Sequence, residues 1–225
     1  MTRKVLTAII IMAAAFASAQ HCFAQAQAPA QSATRSPAPT APQHDHSQMN
    51  DTAKEQVKEQ SAAQKYFSDV ELVNQDGRKM RFYSDVLKGK TVVINAFFTT
   101  CTSVCPPMSR NMEKIQEALG DRIGKDVFLV SISVDPATDT PERLKAYSQK
   151  FHAKPGWIFL TGKKENVDWA LYKVGQYVEA KDDHTTGIII GNEATGLWKK
   201  ALGMAKSDEL VQIVRSVVND GGGAR

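Results

Sequence analysis

Between Asp69 and Val218 the chain alternates short apolar runs with amphipathic stretches, and the two kinds of segment differ in period. Asp69 to Val73 and Lys79 to Tyr83 alternate apolar and polar positions about Asn74-Gln75-Asp76-Gly77. This is the pattern of a β-hairpin whose glycine supplies a positive φ at the turn. Thr91 to Phe98 and Val127 to Val134 are continuous apolar runs rich in β-branched residues, which predicts two strands buried on both faces. Each is followed by a helical period. Met108, Met112, Ile115 and Leu119 recur at helical spacing along a helix expected over Ser109 to Leu119, and the two methionines read as its apolar face. Asp139-Thr140-Pro141-Glu142 opens a second helix running through Phe151, with Thr140 at the cap and Pro141 in the first turn. Further on, Trp157 to Leu160 predicts a short strand and Glu165 to Val174 a helix. Thr185 to Ile190 and Leu197 to Leu202 read as a hairpin about Asn192 to Gly196, and Asp208 to Val218 as a closing helix.

Right-handed βαβ crossovers make the two early buried strands parallel neighbours. The later hairpin, flanked by helices, completes an α/β sandwich of thioredoxin-like type with the first hairpin as an N-terminal extension. The domain is expected over residues 64–220, followed by a short tail at 221–225. Upstream, residues 27–63 are Ala, Gln, Pro, Ser and charged residues with almost no aromatic content, a composition that reads as a tether. Residues 1–26 read as an export signal, with Arg3 and Lys4 before an apolar run and small-residue cleavage options after Ala19, Ala24 or Ala26. That run is about 15 residues, roughly 22 Å of helix, short of the ~30 Å of a bilayer core, so cleavage is expected rather than anchoring. His21 stands where a small residue should precede a lipidated cysteine, which argues against lipid on Cys22. The periplasm is the expected compartment. The formal charge of +4, part of which leaves with the signal, is spread over both signs and points to no nucleic-acid partner.

Loss of the signal leaves Cys101 and Cys105, with three residues between them in FFTTCTSVCPPM, in an oxidising compartment. Such a dithiol can hold a soft metal ion, cycle as a redox-active disulfide or staple a loop. Cys105 precedes Pro106-Pro107 and a helix, where unpaired N–H groups and the helix dipole are expected to favour its thiolate. A staple across so short a loop stabilises by only about 2 kcal/mol, which makes a purely structural bridge the weaker reading. Thr102-Ser103-Val104-Cys105-Pro106 has the Thr-x-x-Cys-Pro spacing seen around peroxidatic cysteines, so peroxide chemistry at Cys105 is a further alternative.

Of the five histidines, His21, His44 and His46 lie upstream of the domain, His44-Asp45-His46 with Met49 reading as solvated linker. His152 ends a helix, where a cation complements the dipole and faces solvent. His184, in Asp182-Asp183-His184-Thr185-Thr186 just before a strand, occupies the place where thioredoxin-like folds bring a loop against the cysteines. No proline follows Pro155 to build the substrate-presenting loop of redox members. Two thiolates and an imidazole suit Cu(I) in a three-coordinate site and also accommodate Cu(II); zinc would use the same ligands with a fourth donor.

The run Cys101 to Pro106, the segment Ser131-Ile132-Ser133-Val134-Asp135-Pro136 continuing through Asp139-Thr140-Pro141, and Asp183-His184 together resemble the Sco/SenC family, over roughly Phe67 to Val218. The resemblance implies a thioredoxin-like copper-binding protein with Cys101, Cys105 and His184 as ligands. It further implies delivery of copper to the dinuclear copper A centre of cytochrome c oxidase subunit II, or reduction of that centre's cysteines. The partners it implies are that subunit or another periplasmic cuproenzyme, with a copper donor and a thiol reductant. Such a carrier would not be an enzyme; a thiol-disulfide oxidoreductase is the alternative. Asp135 and Asp139 match acidic family positions and look like supporting or partner-facing residues, although capping and turn roles account for them equally. Thr102 replaces the proline that often follows the first cysteine, and the family's uncleaved anchor is missing. Both departures leave the client more open than the metal.

Overall fold

The computed structural model describes residues 61–221. Seven strands form one sheet: β1 (Glu71–Asn74), β2 (Lys79–Arg81), β3 (Thr91–Phe97), β4 (Val127–Ser133), β5 (Trp157–Thr161), β6 (Gly187–Asn192) and β7 (Leu197–Leu202). Their spatial order is β2-β1-β5-β4-β3-β6-β7. β3, β4 and β5 are parallel neighbours, whereas β1 joins β5, and β6 joins β3, antiparallel. The expected parallel core, N-terminal hairpin extension and late antiparallel hairpin are all present, the thioredoxin-like arrangement.

Five helices cover the sheet: α1 (Ala62–Phe67), α2 (Cys105–Leu119), α3 (Pro141–Lys150), α4 (Lys164–Lys173) and α5 (Ser207–Val218). Alternation along the central strand divides the core. Val93 and Phe97 of β3 pack with Met108, Met112 and Ile115 of α2, Leu144 and Tyr147 of α3, and Leu210 and Val214 of α5. Val92, Ile94 and Ala96 face the other way, against Val167, Ala170 and Leu171 of α4 and Phe67 of α1. Both faces of β3 are therefore apolar, as its uninterrupted hydrophobic run requires. Three polar side chains of the central strands pair with one another: Trp157 Nε1 donates to Ser131 Oγ at 3.0 Å, and Ser131 donates to Asn95 Oδ1 at 2.7 Å.

Four local departures from the pattern have physical causes. Phe82 and Tyr83 do not extend β2 but start a π-helical turn over Phe82–Leu87, which buries both rings together with Val86 and Leu87. An alternating strand would have exposed one of the two rings. α1 carries no signal in the composition, yet Ser61 caps it by accepting from Gln64 N–H, and it docks through Phe67. β6 starts at Gly187 instead of Thr185, because Thr185 Oγ1 donates to Gln176 Oε1 and Thr186 turns its carbonyl to Gly203. α2 starts at Cys105 instead of Ser109: Pro106 and Pro107 have no N–H that needs a partner and suit a first helical turn. The export signal assigned to residues 1–26, and all but the last residues of the 27–63 tether, lie outside the described residues. Among the described residues no helix is long and apolar enough to cross a membrane.

The end of β7 meets the start of β6 through Gly203, whose N–H donates to Thr186 O at 2.6 Å. A Cβ on Gly203 would stand 2.6 Å from that oxygen and 2.7 Å from Met108 Sδ. Gly203→Ala is therefore expected to force β6 and α2 apart and lower stability by about 1–3 kcal/mol. An unchanged urea midpoint would show that the contact relaxes freely.

Candidate metal centre

β3 ends at Phe97, and the chain turns through Phe98 and Thr99 to Cys101 before entering α2 at Cys105. The turn is held by Asp139, a fully buried residue of the β4–α3 connection. Its carboxylate accepts from Thr99 N–H at 3.1 Å, from the Thr99 hydroxyl, and from Ser133 Oγ at 2.6 Å. His184 arrives from the opposite direction, just before β6, at the end of a 3₁₀ turn over Lys181–Asp183. β3 and β6 are antiparallel neighbours with Asn95 opposite Ile188, so the exit of one strand and the entry of the other lie at the same end of the sheet.

The ligand atoms of Cys101, Cys105 and His184 lie within 4.8 Å of one another. Bonds of about 2.0–2.3 Å to imidazole and thiolate place three such donors roughly 3.5–4 Å apart around an ion, so small side-chain rotations close the set. Cys105 Sγ already stands 3.3 Å from His184 Nε2. His184 Nδ1 lies 2.9 Å from the Lys181 carbonyl, which can only accept, so Nδ1 carries the proton and Nε2 presents its lone pair to the sulfurs. Phe98 packs edge-on against the imidazole, ring centres 5.3 Å apart, and restricts its rotation.

The two thiols are free and unequal. Cys105 has no exposed surface, while Cys101 and His184 keep 8% and 9%. Burial, reinforced by hydrogen bonding to Cys101, pushes the Cys105 thiol up to about 12. This corrects the expectation of a thiolate at Cys105. The helix N-terminus does offer a donor, but the Cys105 N–H points at Cys101 Sγ, 3.4 Å away. Burial alone would raise Cys101 as well. Hydrogen bonds from the Cys105 thiol and N–H, with those of Ser103, outweigh it and hold Cys101 below the ordinary thiol range.

Met108 and Met112 are fully buried core residues, as their spacing predicts. His152 lies beyond the end of α3, at φ 51°, with Nδ1 2.6 Å from Glu113 Oε1, at the surface and away from the thiols. His44, His46 and Met49 fall outside the described residues. Asp135 forms an ion pair with Lys181 at 2.8 Å, and Asp139 secures the cysteine turn, so the structure gives both acidic residues contacts with the loops around the site. Sequence reasoning missed Thr99, Ser133, Phe98 and Lys181. Phe98 read only as the end of an apolar run, and hydroxyls and a lysine at strand ends and in turns carry no periodic signal, so only the pairing of distant turns reveals them.

The SCO1/SenC family model matches residues 58–219. The chain belongs to the SCO1/SenC family. A SCO2-like protein of Rickettsia conorii is 39% identical over 99 residues, 44% of this chain and 46% of the relative. The chain thus spans about half the length of the curated relatives it matches. Among solved structures, Bradyrhizobium japonicum ScoI with copper bound is 26% identical with a TM-score of 0.55, covering 67% of this chain and 98% of that one. BsSco, a member of the Sco family of cytochrome c oxidase assembly proteins with an identified disulfide switch, is 26% identical with a TM-score of 0.54, covering 67% and 91%. Within this Sco-family chain Thr102 is exposed beside Ser103, at the mouth of the cysteine loop.

The thiol inequality predicts an order of alkylation, because the thiolate is the nucleophile. In the reduced, metal-free protein near neutral pH, iodoacetamide should label Cys101 first, while Cys105 reacts appreciably only as the pH becomes strongly alkaline. Peptide mapping after timed quenching reads this directly. Equal rates, or Cys105 first, would contradict the assignment.

Proposed function

We propose that this chain carries one copper ion on the Cys101 and Cys105 thiolates and His184 Nε2 in the periplasm. It passes the ion to a cuproenzyme, foremost the dinuclear copper A centre of cytochrome c oxidase subunit II. The observation that carries this reading is the convergence of two soft sulfurs and one imidazole nitrogen of set tautomer, with Cys105 and His184 separated by 79 positions in sequence. The donor set matches a soft ion better than a hard one. Copper in the related ScoI and the oxidase-assembly role of BsSco's family support the choice of metal and of client.

Carriage and release follow from the unequal exposure. An ion reaching the site meets Cys101 and His184 first and displaces the Cys105 proton last. In the reverse direction a client's ligands replace Cys101 and His184 from solvent, and the buried Cys105 lets go last. Copper is cargo here, and no covalent chemistry on a substrate is required.

The same thiols support a second activity. Cys101, the more exposed and more acidic thiol, attacks a client disulfide; Cys105 then resolves the mixed disulfide, leaving a Cys101–Cys105 bond and the client's two thiols reduced. An external thiol reductant restores the pair. Peroxide reduction at Cys105 is disfavoured, because that sulfur is fully buried and its thiolate is suppressed.

Anaerobic Cu(I) titration of the reduced protein, with metal analysis, should give one copper per chain. His184→Ala and Cys101→Ala should each weaken binding by more than the roughly 10–100-fold typical of losing a mere supporting partner. Binding unchanged in His184→Ala would reduce the site to a dithiol and favour the exchange reading.

A further inference from the structure

The stretch that delivers His184 is short of anchors. Among the described residues, one hydrogen bond ties Tyr177–Asp183 to another element: Lys181 Nζ donates to Asp135 Oδ2 at 2.8 Å. The same lysine's carbonyl accepts from His184 twice, from the backbone N–H at 3.3 Å and from Nδ1–H at 2.9 Å. Its ammonium also lies 5.3 Å from the centre of the Phe98 ring, which packs on the imidazole. Four contacts of one residue thus bear on the orientation of one ring.

Asp135 is itself held. Its N–H donates to Ser133 Oγ at 3.0 Å, its carbonyl accepts from Asp139 N–H at 2.9 Å, and Ser133 donates to the Asp139 carboxylate that holds the cysteine turn. A continuous set of hydrogen bonds therefore runs from Thr99, beside the thiols, through Asp139, Ser133 and Asp135 to Lys181 and His184. The turn between β4 and α3 braces both halves of the site. On the cysteine side the brace is buried; on the histidine side it ends in an ion pair whose lysine side chain is 42% exposed.

Resting on the copper-carrier reading, we propose that Lys181 is a positioning residue of the copper site: its ammonium, held by Asp135, fixes the carbonyl that orients His184. Exposed ion pairs add little to global stability, and salt screens them. The consequence lies in the site: with the pair intact, Nε2 is held towards the sulfurs; with it broken, the 3₁₀ turn drifts, Nδ1 loses its acceptor, and the histidine leaves copper more easily. A client that docks a charged group against Lys181 or Asp135 would loosen the same ligand, so the pair is placed to couple docking to release.

Lys181→Met keeps the backbone carbonyl and the aliphatic stem while removing the charge; Asp135→Asn removes its partner, and Lys181→Arg restores a donor. Two measurements apply. In the metal-free reduced protein, imidazole ¹⁵N shifts should report the Nδ1–H tautomer of His184 in wild type and Lys181→Arg, and a mixture of tautomers in Lys181→Met and Asp135→Asn. In the Cu(I)-loaded protein, transfer to a chromogenic Cu(I) chelator should be about tenfold faster in the latter two, the low end for lost supporting partners. Added salt should accelerate the wild type towards that rate and leave Lys181→Met unmoved. Wild-type tautomer and wild-type transfer rates in both charge-removing variants would overturn the proposal. The ¹⁵N measurement needs no copper, so it decides on Lys181 even if the wild type fails to retain the ion, a result that would overturn the carrier reading instead.

Discussion

The antiparallel pairing of β3 with β6 is the constraint on which the site depends. It opposes Asn95 to Ile188 and so sets the cysteine turn, leaving β3, beside the histidine, entering β6. A strand rises about 3.4 Å per residue, so a slip of two positions would carry His184 some 7 Å from the thiols and dissolve the ligand set. A slip of one would turn Ile188 and Ile190 out of the core they share with Val93 and put Ile189 in their place. Burial on both faces of the sheet thus sets the geometry of a site at its end. The register of two core strands supplies the metal centre's framework, and the β4–α3 turn braces the loops set on it.

On that framework the local chemistry divides labour between two sulfurs that look equivalent in sequence. The prolines that open α2 leave few free donors, and the Cys105 N–H is directed at Cys101. Burial makes the inner sulfur keep its proton, and the donors directed at Cys101 make the outer one readier to lose it. For a carrier this is a useful asymmetry. In the proposed carrier the outer thiolate and the imidazole would be exchanged from solvent, while the inner sulfur, sealed beneath the loop, would retain the ion until both had been replaced. The same asymmetry distinguishes an attacking from a resolving thiol, which is why copper carriage and thiol exchange can share one site.

Much of this was legible in the chain. Alternating and continuous apolar runs located every strand, and period-3.6 patterns all helices but α1, since those elements bury one or both faces and must show it in their residue order. The ligand set was legible because cysteines and a histidine are few, and their placement at element ends is informative once the topology is drawn. The thiolate assignment went wrong for a definite reason. Position at a helix N-terminus tells where donors are, not which sulfur they reach, and that depends on a side-chain direction the sequence does not contain. The π-helical turn at Phe82–Leu87 escaped for a related reason, its two adjacent aromatic residues being explicable only by a core that receives both. Asp139 was visible as an acidic residue in a turn, but its burial beneath Thr99 and Ser133 depends on tertiary contacts alone.

Copper K-edge X-ray absorption of the anaerobically loaded protein bears most directly on the central claim, that two sulfurs and one nitrogen of a single chain hold the ion. The account predicts a first shell of two sulfur scatterers and one imidazole nitrogen, with the outer-shell signature of the ring and no copper–copper scattering. A shell of sulfur alone, or copper–copper scattering from an ion shared between chains, would contradict it.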